Sequence, residues 1–168
     1  NEAGVSAITD TNAAADSVAE NSAIGTTVGV TANATDPDLS DTIVYSLDDT
    51  AGGRFAIDSS TGILTVAGAL DREAAGSYSI TIRATSSDTS FTTLTLNINI
   101  SDVDEFDVSS PVDTNAAANA VNENAANGTA VGITANASDS DATNNVVTYS
   151  LTDNAGGRFA IDANTGVV

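Results

Sequence analysis

The chain has 168 residues, with 23 acidic side chains against four arginines, no lysine, and a formal net charge of −19. It has no Cys, His, Met or Trp, which excludes thiolate and imidazole metal sites, Ser-His-Asp catalysis and disulfides. The charge disfavours nucleic acids and anionic membrane surfaces as partners, and no apolar run is long enough for a transmembrane helix, so we expect no direct membrane insertion.

Apolar and polar residues alternate along three stretches, in the period of two that is typical of β-strands. In chain order these stretches are 43–47, 78–84 and 94–100. One apolar and one polar face per strand is what an antiparallel sheet with one solvated face requires. Glycine- and serine-rich turns separate the stretches at short intervals. About seven short strands in roughly a hundred residues predict an all-β fold, a β-sandwich.

The sequence repeats itself. Residues 10–36 recur at 113–139, an offset of 103 (113 − 10), and residues 44–64 recur at 148–168, an offset of 104 (148 − 44). Self-similarity at a fixed period is the signature of a tandem array.

The repeat boundaries predict two domains. Residues 1–103 are expected to form one whole repeat, with 1–9 as the tail of a preceding linker. Residues 104–168 are expected to hold the next linker and the N-terminal part of a second repeat, so that the second sandwich is truncated.

The acidic residues gather at strand ends and in the linker. Four D-x-[DE] triplets begin at Asp36, Asp71, Asp102 and Asp139. In extended backbone, residues i and i+2 point the same way, so each triplet aims two carboxylates at one spot. Four arginines are too few to offset that repulsion. Ca²⁺ accepts about six to eight oxygen ligands in flexible geometry and is the predicted cation; Mg²⁺, which demands octahedral coordination, is the weaker candidate.

Four motifs occur in order along the chain. They are "VAEN" at 18–21, "ATDPD" at 34–38, the stretch "GRFAIDSSTGILTVAGALDREAAGSYSITIRATSSD" at 53–88, and "DVDEF" at 102–106. Together they resemble a cadherin repeat: the long stretch resembles its central part, with its F-x-I-D-x-x-T-G-x-I turn and LDRE, and the other three resemble its P-E-N element, its A-x-D-x-D motif and its D-x-N-D-N linker. The resemblance covers 1–103 and continues through 104–168. It implies tandem seven-stranded Greek-key β-sandwiches of the cadherin/immunoglobulin-like type.

The resemblance also implies about three Ca²⁺ ions between successive repeats. The base of the first repeat, the linker, and the top of the second repeat would each supply ligands, including a main-chain carbonyl near Val103 or Phe106. In chain order the implied ligands of this junction are Glu20, Asp71, Glu73, Asp102, Val103, Asp104, Glu105, Phe106, Asp139 and Asp141. Asn1, Glu2, Asp36 and Asp38 match the half-site at the N-terminal end of the first repeat.

Some positions depart from the family pattern. In the linker Glu105 replaces an aspartate, and Phe106 replaces an asparagine and could offer only its carbonyl. Where many cadherin repeats carry A-x-D, this chain reads Ala84-Thr85-Ser86, and Asp88 is the candidate substitute. Asp58 and Asp162 are predicted to be turn residues that bind local backbone amides rather than metal.

These features predict a calcium-binding structural and adhesive repeat of a large extracellular protein. The lysine-free, alanine- and threonine-rich composition resembles a secreted bacterial surface adhesin of the kind found in biofilms. The alternatives are a carbohydrate-binding module and a homophilic cell–cell adhesion module, so the expected partners are neighbouring repeats, surface polysaccharide or identical domains on another cell. An enzyme is not expected, because the paired acids lie at strand ends rather than in a cleft.

Overall fold

The computed structural model describes residues 3–38 and 40–168, which divide between two compact units, 1–103 and 104–168. Asn1 and Glu2, assigned above to the N-terminal half-site, lie outside the described residues. All regular secondary structure in the described part is β, which agrees with the predicted fold class. A search of these residues found no helix with the length and apolarity that crossing a membrane requires.

Unit 1 is built from two four-stranded sheets, with the strand orders β1-β3-β6-β5 and β2-β8-β7-β4. β1 pairs antiparallel with β3 and β2 pairs parallel with β8, so the N-terminal segment contributes to both sheets. The strands are β1 Thr9–Asp10, β2 Ser17–Ala19, β3 Thr27–Asn33, β4 Ile43–Asp49, β5 Phe55–Ile57, β6 Ile63–Val66, β7 Ser77–Ser86 and β8 Phe91–Ser101.

The core of unit 1 lies between the two sheets and is almost entirely aliphatic. Ile80 and Ile82 of β7 and Ile98 of β8 are fully buried, whereas their immediate neighbours along each strand face outward. Each buried side chain of this size stabilises the fold by about 1.5–3 kcal/mol through burial. The alternation read from the sequence is therefore the alternation between core and solvent.

The strand pairing defines two ends of unit 1. At the end that we call the base, β2 and β8 end and β7 begins, because Ala19 pairs with Ser101 and Ser77 with Asn99. At the opposite end, the top, β4 begins and β7 ends, because Ile43 pairs with Ser86.

Unit 2 contains one short antiparallel pair, β9 (Val112–Asp113) with β10 (Ala135–Asn136), and an isolated bridge between Thr134 and Val167. Its local hydrogen bonds repeat those of unit 1. In both units a tyrosine hydroxyl accepts a backbone N–H from the loop that follows the strand, and an aspartate accepts one across the N-terminal pairing. The corresponding bonds are Ala34–Tyr45 and Ala137–Tyr149, and Thr31–Asp10 and Thr134–Asp113.

Asp58 and Asp162 are turn residues, as predicted. Asp58 Oδ1 accepts the backbone N–H groups of Ser60 and Thr61 at 3.0 and 2.8 Å, and Asp162 does the same in unit 2. These hydrogen bonds, led by the one from the Thr61 amide, lower the pKa of Asp58. Both carboxylates thus fix a local turn.

Candidate metal sites

Glu20 holds together the parts of the base of unit 1. Its side chain is only 2% exposed. Oε2 accepts the backbone N–H of Arg72 at 2.5 Å, and Oε1 accepts the backbone N–H of Val103 at 2.9 Å. Because each oxygen takes one amide, the single carboxylate fixes both the turn that carries Glu73 and the start of the linker.

Three carboxylates converge at the base. Glu20, Glu73 and Asp102 each present one oxygen, and these oxygens lie within 4.8 Å of one another. Two oxygens bound to one Ca²⁺ are at most about 5 Å apart, since each Ca–O distance is about 2.3–2.6 Å. A carboxylate oxygen that accepts one amide still has a second lone pair. The donor set at the base therefore fits Ca²⁺.

Asp71, the other acid of the LDRE motif, has a different local role. Its Oδ1 accepts the backbone N–H of Ala74 at 2.9 Å, so one carboxylate oxygen caps the turn that begins at Asp71. The neighbouring Arg72 side chain lies over Gly76, where an added Cβ would overlap Nη1. Leu70, which is 2% exposed, anchors the turn in the core. Asp71 is thus placed at the base, outside the three-carboxylate group.

In unit 2 the predicted ligands meet around Asp141. Its oxygens accept the backbone N–H groups of Glu105 and Phe106 at 3.1 and 3.3 Å, and its own N–H donates to Asp139. The amide of Glu105 is the main cause that lowers the pKa of Asp141. The contact with Asp141 raises the pKa of Asp104. Two carboxylates in contact with each other, as Asp104 and Asp141 are, favour sharing either a proton or a cation.

The top of unit 1 repeats part of that arrangement. Asp38 Oδ2 accepts the backbone N–H of Ala3 at 3.1 Å, as Asp141 accepts that of Phe106, and the N–H of Asp38 donates to Asp36. Asp36 also belongs to a second carboxylate group, with Asp41 and Asp88. Asp41 was not among the predicted ligands. The signal that could have identified it is the pairing of β4 with β7, which places residues 41 and 88 at the same sheet end.

Unit 1 has two four-stranded β-sheets and a group of carboxylates at each end. This arrangement is that of an immunoglobulin-like repeat of the kind found in tandem arrays. Residues 16–101 match the family model of the cadherin domain, and the chain belongs to the cadherin family. The fold class and the cadherin resemblance are thereby confirmed.

Two curated relatives show the extent of the likeness. Human protocadherin Fat 4 is 37% identical over 158 residues, which are 90% of this chain and 3% of that protein. The Drosophila protocadherin-like wing polarity protein stan is 37% identical over 164 residues, 90% of this chain and 4% of that protein. The chain therefore spans only a few hundredths of the length of these relatives.

Solved structures agree with the fold. The crystal structure of mouse cadherin-23 EC22-24 has a TM-score of 0.73 at 31% identity, over 90% of this chain and 49% of that chain. The protocadherin gammaB7 EC3-6 cis-dimer structure has a TM-score of 0.78 at 20% identity, over 96% of this chain and 42% of that chain, and supports the fold alone.

Membership of this family indicates a general type of function. Cadherin domains are adhesive extracellular repeats that bind Ca²⁺ at the junctions between repeats. The relatives named above are animal proteins, so they do not support the bacterial origin suggested by the composition.

Proposed function

We propose that this chain is a calcium-dependent stiffening and adhesive segment of a larger extracellular protein. In this proposal Ca²⁺, about three ions in number, is shared by the base of unit 1, the linker and the acids of unit 2. The ligands we propose, in chain order, are Glu20, Asp71, Glu73, Asp102, Val103, Asp104, Glu105, Phe106, Asp139 and Asp141, with Val103 and Phe106 offering only carbonyl oxygens.

The observation that carries this proposal is the convergence of Glu20, Glu73 and Asp102. These residues are far apart in the sequence, and three anionic oxygens within 4.8 Å repel one another unless a cation or proton intervenes. The arginine nearest in sequence, Arg72, lies over Gly76. A bound divalent cation supplies the positive charge that offsets the repulsion.

The residues on either side of the Val103–Asp104 peptide bond suggest how binding could stiffen the chain. Val103 is tied to Glu20 through its amide, and Glu105 is tied to Asp141 through its amide. Both ends of this short linker are thus fixed to carboxylates that we propose as ligands. Removing Ca²⁺ would leave those carboxylates repelling one another, which would loosen the linker. Extracellular calcium modules bind at about 10⁻⁴–10⁻³ M, so the segment would respond to millimolar Ca²⁺.

Calorimetric Ca²⁺ titration, combined with small-angle scattering in Ca²⁺ and in chelator, tests the proposal on the whole chain. We expect saturable binding, a rise in melting temperature and a narrower distribution of particle lengths with Ca²⁺. Glu73→Gln should weaken all three, because it keeps the shape of the side chain and removes its charge. Glu123→Gln is the matched control: Glu123 is the repeat counterpart of Glu20, and it is exposed. No response of shape or melting to millimolar Ca²⁺ would contradict the proposal.

Among the possible adhesion partners, we propose identical repeats on another cell rather than surface polysaccharide. Sugar binding commonly uses exposed aromatic faces. In unit 1 an arginine already lies over one face of two aromatic rings: the guanidinium of Arg83 is 4.0 Å from the centre of the Phe91 ring, and that of Arg54 is 4.7 Å from the centre of the Tyr78 ring. Those faces are therefore not open to a sugar. Bead aggregation that depends on Ca²⁺ and is unaffected by added polysaccharide is the expected result. A bacterial surface as the location is a separate proposal, and it rests on composition alone.

A further inference from the structure

One asparagine of unit 2 stands directly before a glycine. Among all the asparagines of the chain, only Asn127 is followed by glycine, as Asn127-Gly128. Asparagine is one of the thermolabile residues of proteins, and glycine has no Cβ to hinder the approach of its backbone nitrogen to a neighbouring group. The nitrogen of Gly128 can close a five-membered ring onto Cγ of Asn127, because the other ring atoms are only the Cβ, Cα and carbonyl carbon of Asn127.

The dipeptide forms the centre of a β-turn at residues 126–129. The backbone N–H of Thr129 donates to the carbonyl oxygen of Ala126 at 3.1 Å, and the Thr129 hydroxyl donates to the same oxygen at 2.7 Å. Gly128, in the third position, has a φ of +86°, which is the left-handed conformation that a type II turn requires there. The hydrogen bond of the turn therefore uses the N–H of Thr129 and leaves that of Gly128 out of it.

The surroundings of this turn are open to solvent. All of residues 121–130 are exposed. A Cβ built on Gly128 would meet nothing within 4 Å. Water and hydroxide can therefore reach both the backbone nitrogen of Gly128 and the side-chain amide of Asn127.

Unit 1 contains the same turn without the amide. The N–H of Thr26 donates to the carbonyl oxygen of Ala23 at 3.0 Å. Gly25 has a φ of +92°, and a Cβ there would also meet open space. Ile24 stands at the position of Asn127 (24 + 103 = 127) and is 76% exposed. The turn thus forms without an asparagine, so its geometry does not depend on the Asn127 amide.

We propose that Asn127 is a modification site at which the chain deamidates itself through Gly128, with water as the only co-reactant. The Gly128 nitrogen gives its proton to hydroxide and attacks Cγ of Asn127. The bond between that nitrogen and Cγ forms, the bond from Cγ to the side-chain nitrogen breaks, and the side-chain nitrogen takes a proton from water and leaves as ammonia. Water then opens the succinimide ring at one of its two carbonyls, so that residue 127 becomes aspartate or isoaspartate. The reaction needs neither Ca²⁺ nor the ligands proposed above.

This reaction changes both the charge and the backbone of the turn. Either product adds one negative charge to a chain whose net charge is already −19. Isoaspartate also routes the main chain through the former side chain, which lengthens the backbone by one methylene group. The hydrogen bonds from Thr129 to Ala126 span a turn of four ordinary residues, so the isoaspartate form should lose them. Unit 2 is modified in this way, whereas the equivalent turn of unit 1 is not.

Peptide mapping by mass spectrometry, after incubation of the whole chain in ¹⁸O-labelled water at neutral and at mildly alkaline pH, tests the proposal. We expect residue 127 to convert faster than every other asparagine, with uptake of one ¹⁸O atom and release of one ammonia per event. The rate should rise with pH, because the attacking nitrogen must first lose its proton. Anion-exchange chromatography should resolve a fraction with one additional negative charge, and an isoaspartyl methyltransferase should label part of that fraction.

Variants at the two equivalent turns separate this reaction from general hydrolysis. Asn127→Gln should lose the conversion, because the longer side chain would have to close a six-membered ring. Ile24→Asn should gain a conversion in unit 1 at a rate similar to that at Asn127, since the two turns share their hydrogen bond and the positive φ of their glycine. Ile24→Gln is the matched control and should stay unmodified. Ile24 is largely exposed, so unit 1 should fold in both variants.

Three results would overturn the inference. The first is conversion at residue 127 that is no faster than at the other asparagines. The second is conversion without ¹⁸O uptake, or at a rate that does not change with pH. The third is an Ile24→Asn chain whose residue 24 stays intact while Asn127 converts, because the geometry of the exposed turn would then not direct the reaction.

Discussion

The carboxylate of Glu20 accepts the backbone N–H of Val103, 83 residues further along the chain, at a distance of 2.9 Å. Its other oxygen accepts the backbone N–H of Arg72. The residue therefore acts in the fold before any cation is considered, because it fixes the start of the linker against the LDRE turn.

Glu20→Gln should destabilise unit 1 even in the absence of Ca²⁺. The amide side chain has one acceptor oxygen in place of two, so one of the two backbone N–H groups loses its acceptor and faces an NH₂ group. Leaving a buried donor unsatisfied costs about 1–3 kcal/mol. Denaturant unfolding in chelator, followed by circular dichroism, measures this loss. Glu73→Gln is the control, because it relieves the same repulsion among Glu20, Glu73 and Asp102 but leaves both amide acceptors of Glu20 in place. Glu20→Gln should unfold at a lower denaturant concentration than Glu73→Gln, and equal midpoints for the two variants would refute a structural role for Glu20.

Leu70→Ala should destabilise unit 1 by about 2–5 kcal/mol, the usual cost of truncating a buried leucine. Leu70 is buried, and its carbonyl accepts the N–H of Asn21 next to Glu20. A cavity at this position should also let the Asp71–Glu73 turn move, so Ca²⁺ binding at the base should weaken although no carboxylate is changed. Ile24→Ala is the control, because Ile24 is 76% exposed and a surface change of this kind stays within about 0.5 kcal/mol.

The elements that the sequence predicted are those whose pattern is local. The alternation along 78–84 and 94–100 coincides with β7 and β8, because a period of two has only one arrangement that buries every apolar side chain. The turns at Asp58 and Asp162 were predicted for the same reason, since an aspartate that accepts amides two and three residues ahead needs no distant partner. Glu20 and Glu73 could be placed at one end through their motifs.

Features that depend on strand register could not be read from the sequence. Asp41 meets Asp88, which lies 46 intervening residues further along the chain, only because β4 pairs with β7 in one particular register. No motif in the sequence includes residue 41. The carboxylate of Asp71 was predicted only as a ligand, whereas it also caps its own turn. That role depends on where the backbone turns after β6, which the LDRE letters do not specify.

Gly29→Ala should cost more than Gly25→Ala, although both glycines have positive φ angles, +77° and +92°. A left-handed conformation costs a non-glycine residue roughly 1–2 kcal/mol in either place. At Gly29, inside β3, an added Cβ would also overlap the carbonyl oxygen of Ala15, whereas at Gly25 it would meet open space. The difference between their unfolding midpoints isolates the overlap. Equal midpoints would mean that the Ala15 segment shifts at no cost.

Asp16→Asn should stabilise unit 1 at neutral pH. Burial, followed by the charge of Asp10, raises the pKa of Asp16. A carboxyl whose pKa is higher in the folded chain contributes stability that is present below its unfolded value, near 3.8, and is lost as the pH rises through the raised value. Unit 2 already carries Asn119 at the equivalent position, where it adds to the hydrogen bonds, chiefly from Thr134, that lower the pKa of Asp113.

Melting temperatures of wild type and Asp16→Asn at pH 7 and at about pH 3.5 measure this effect. The variant should melt higher than wild type at pH 7, and the advantage should shrink or vanish in acid, where the wild-type carboxyl is protonated and no longer repelled by Asp10. Glu123→Gln removes one negative charge at an exposed site and controls for net charge. Between these two conditions only the ionisation of the carboxyl groups changes. An equal gain in melting temperature at both pH values would therefore show that packing, not the repulsion between Asp10 and Asp16, makes the variant more stable than wild type.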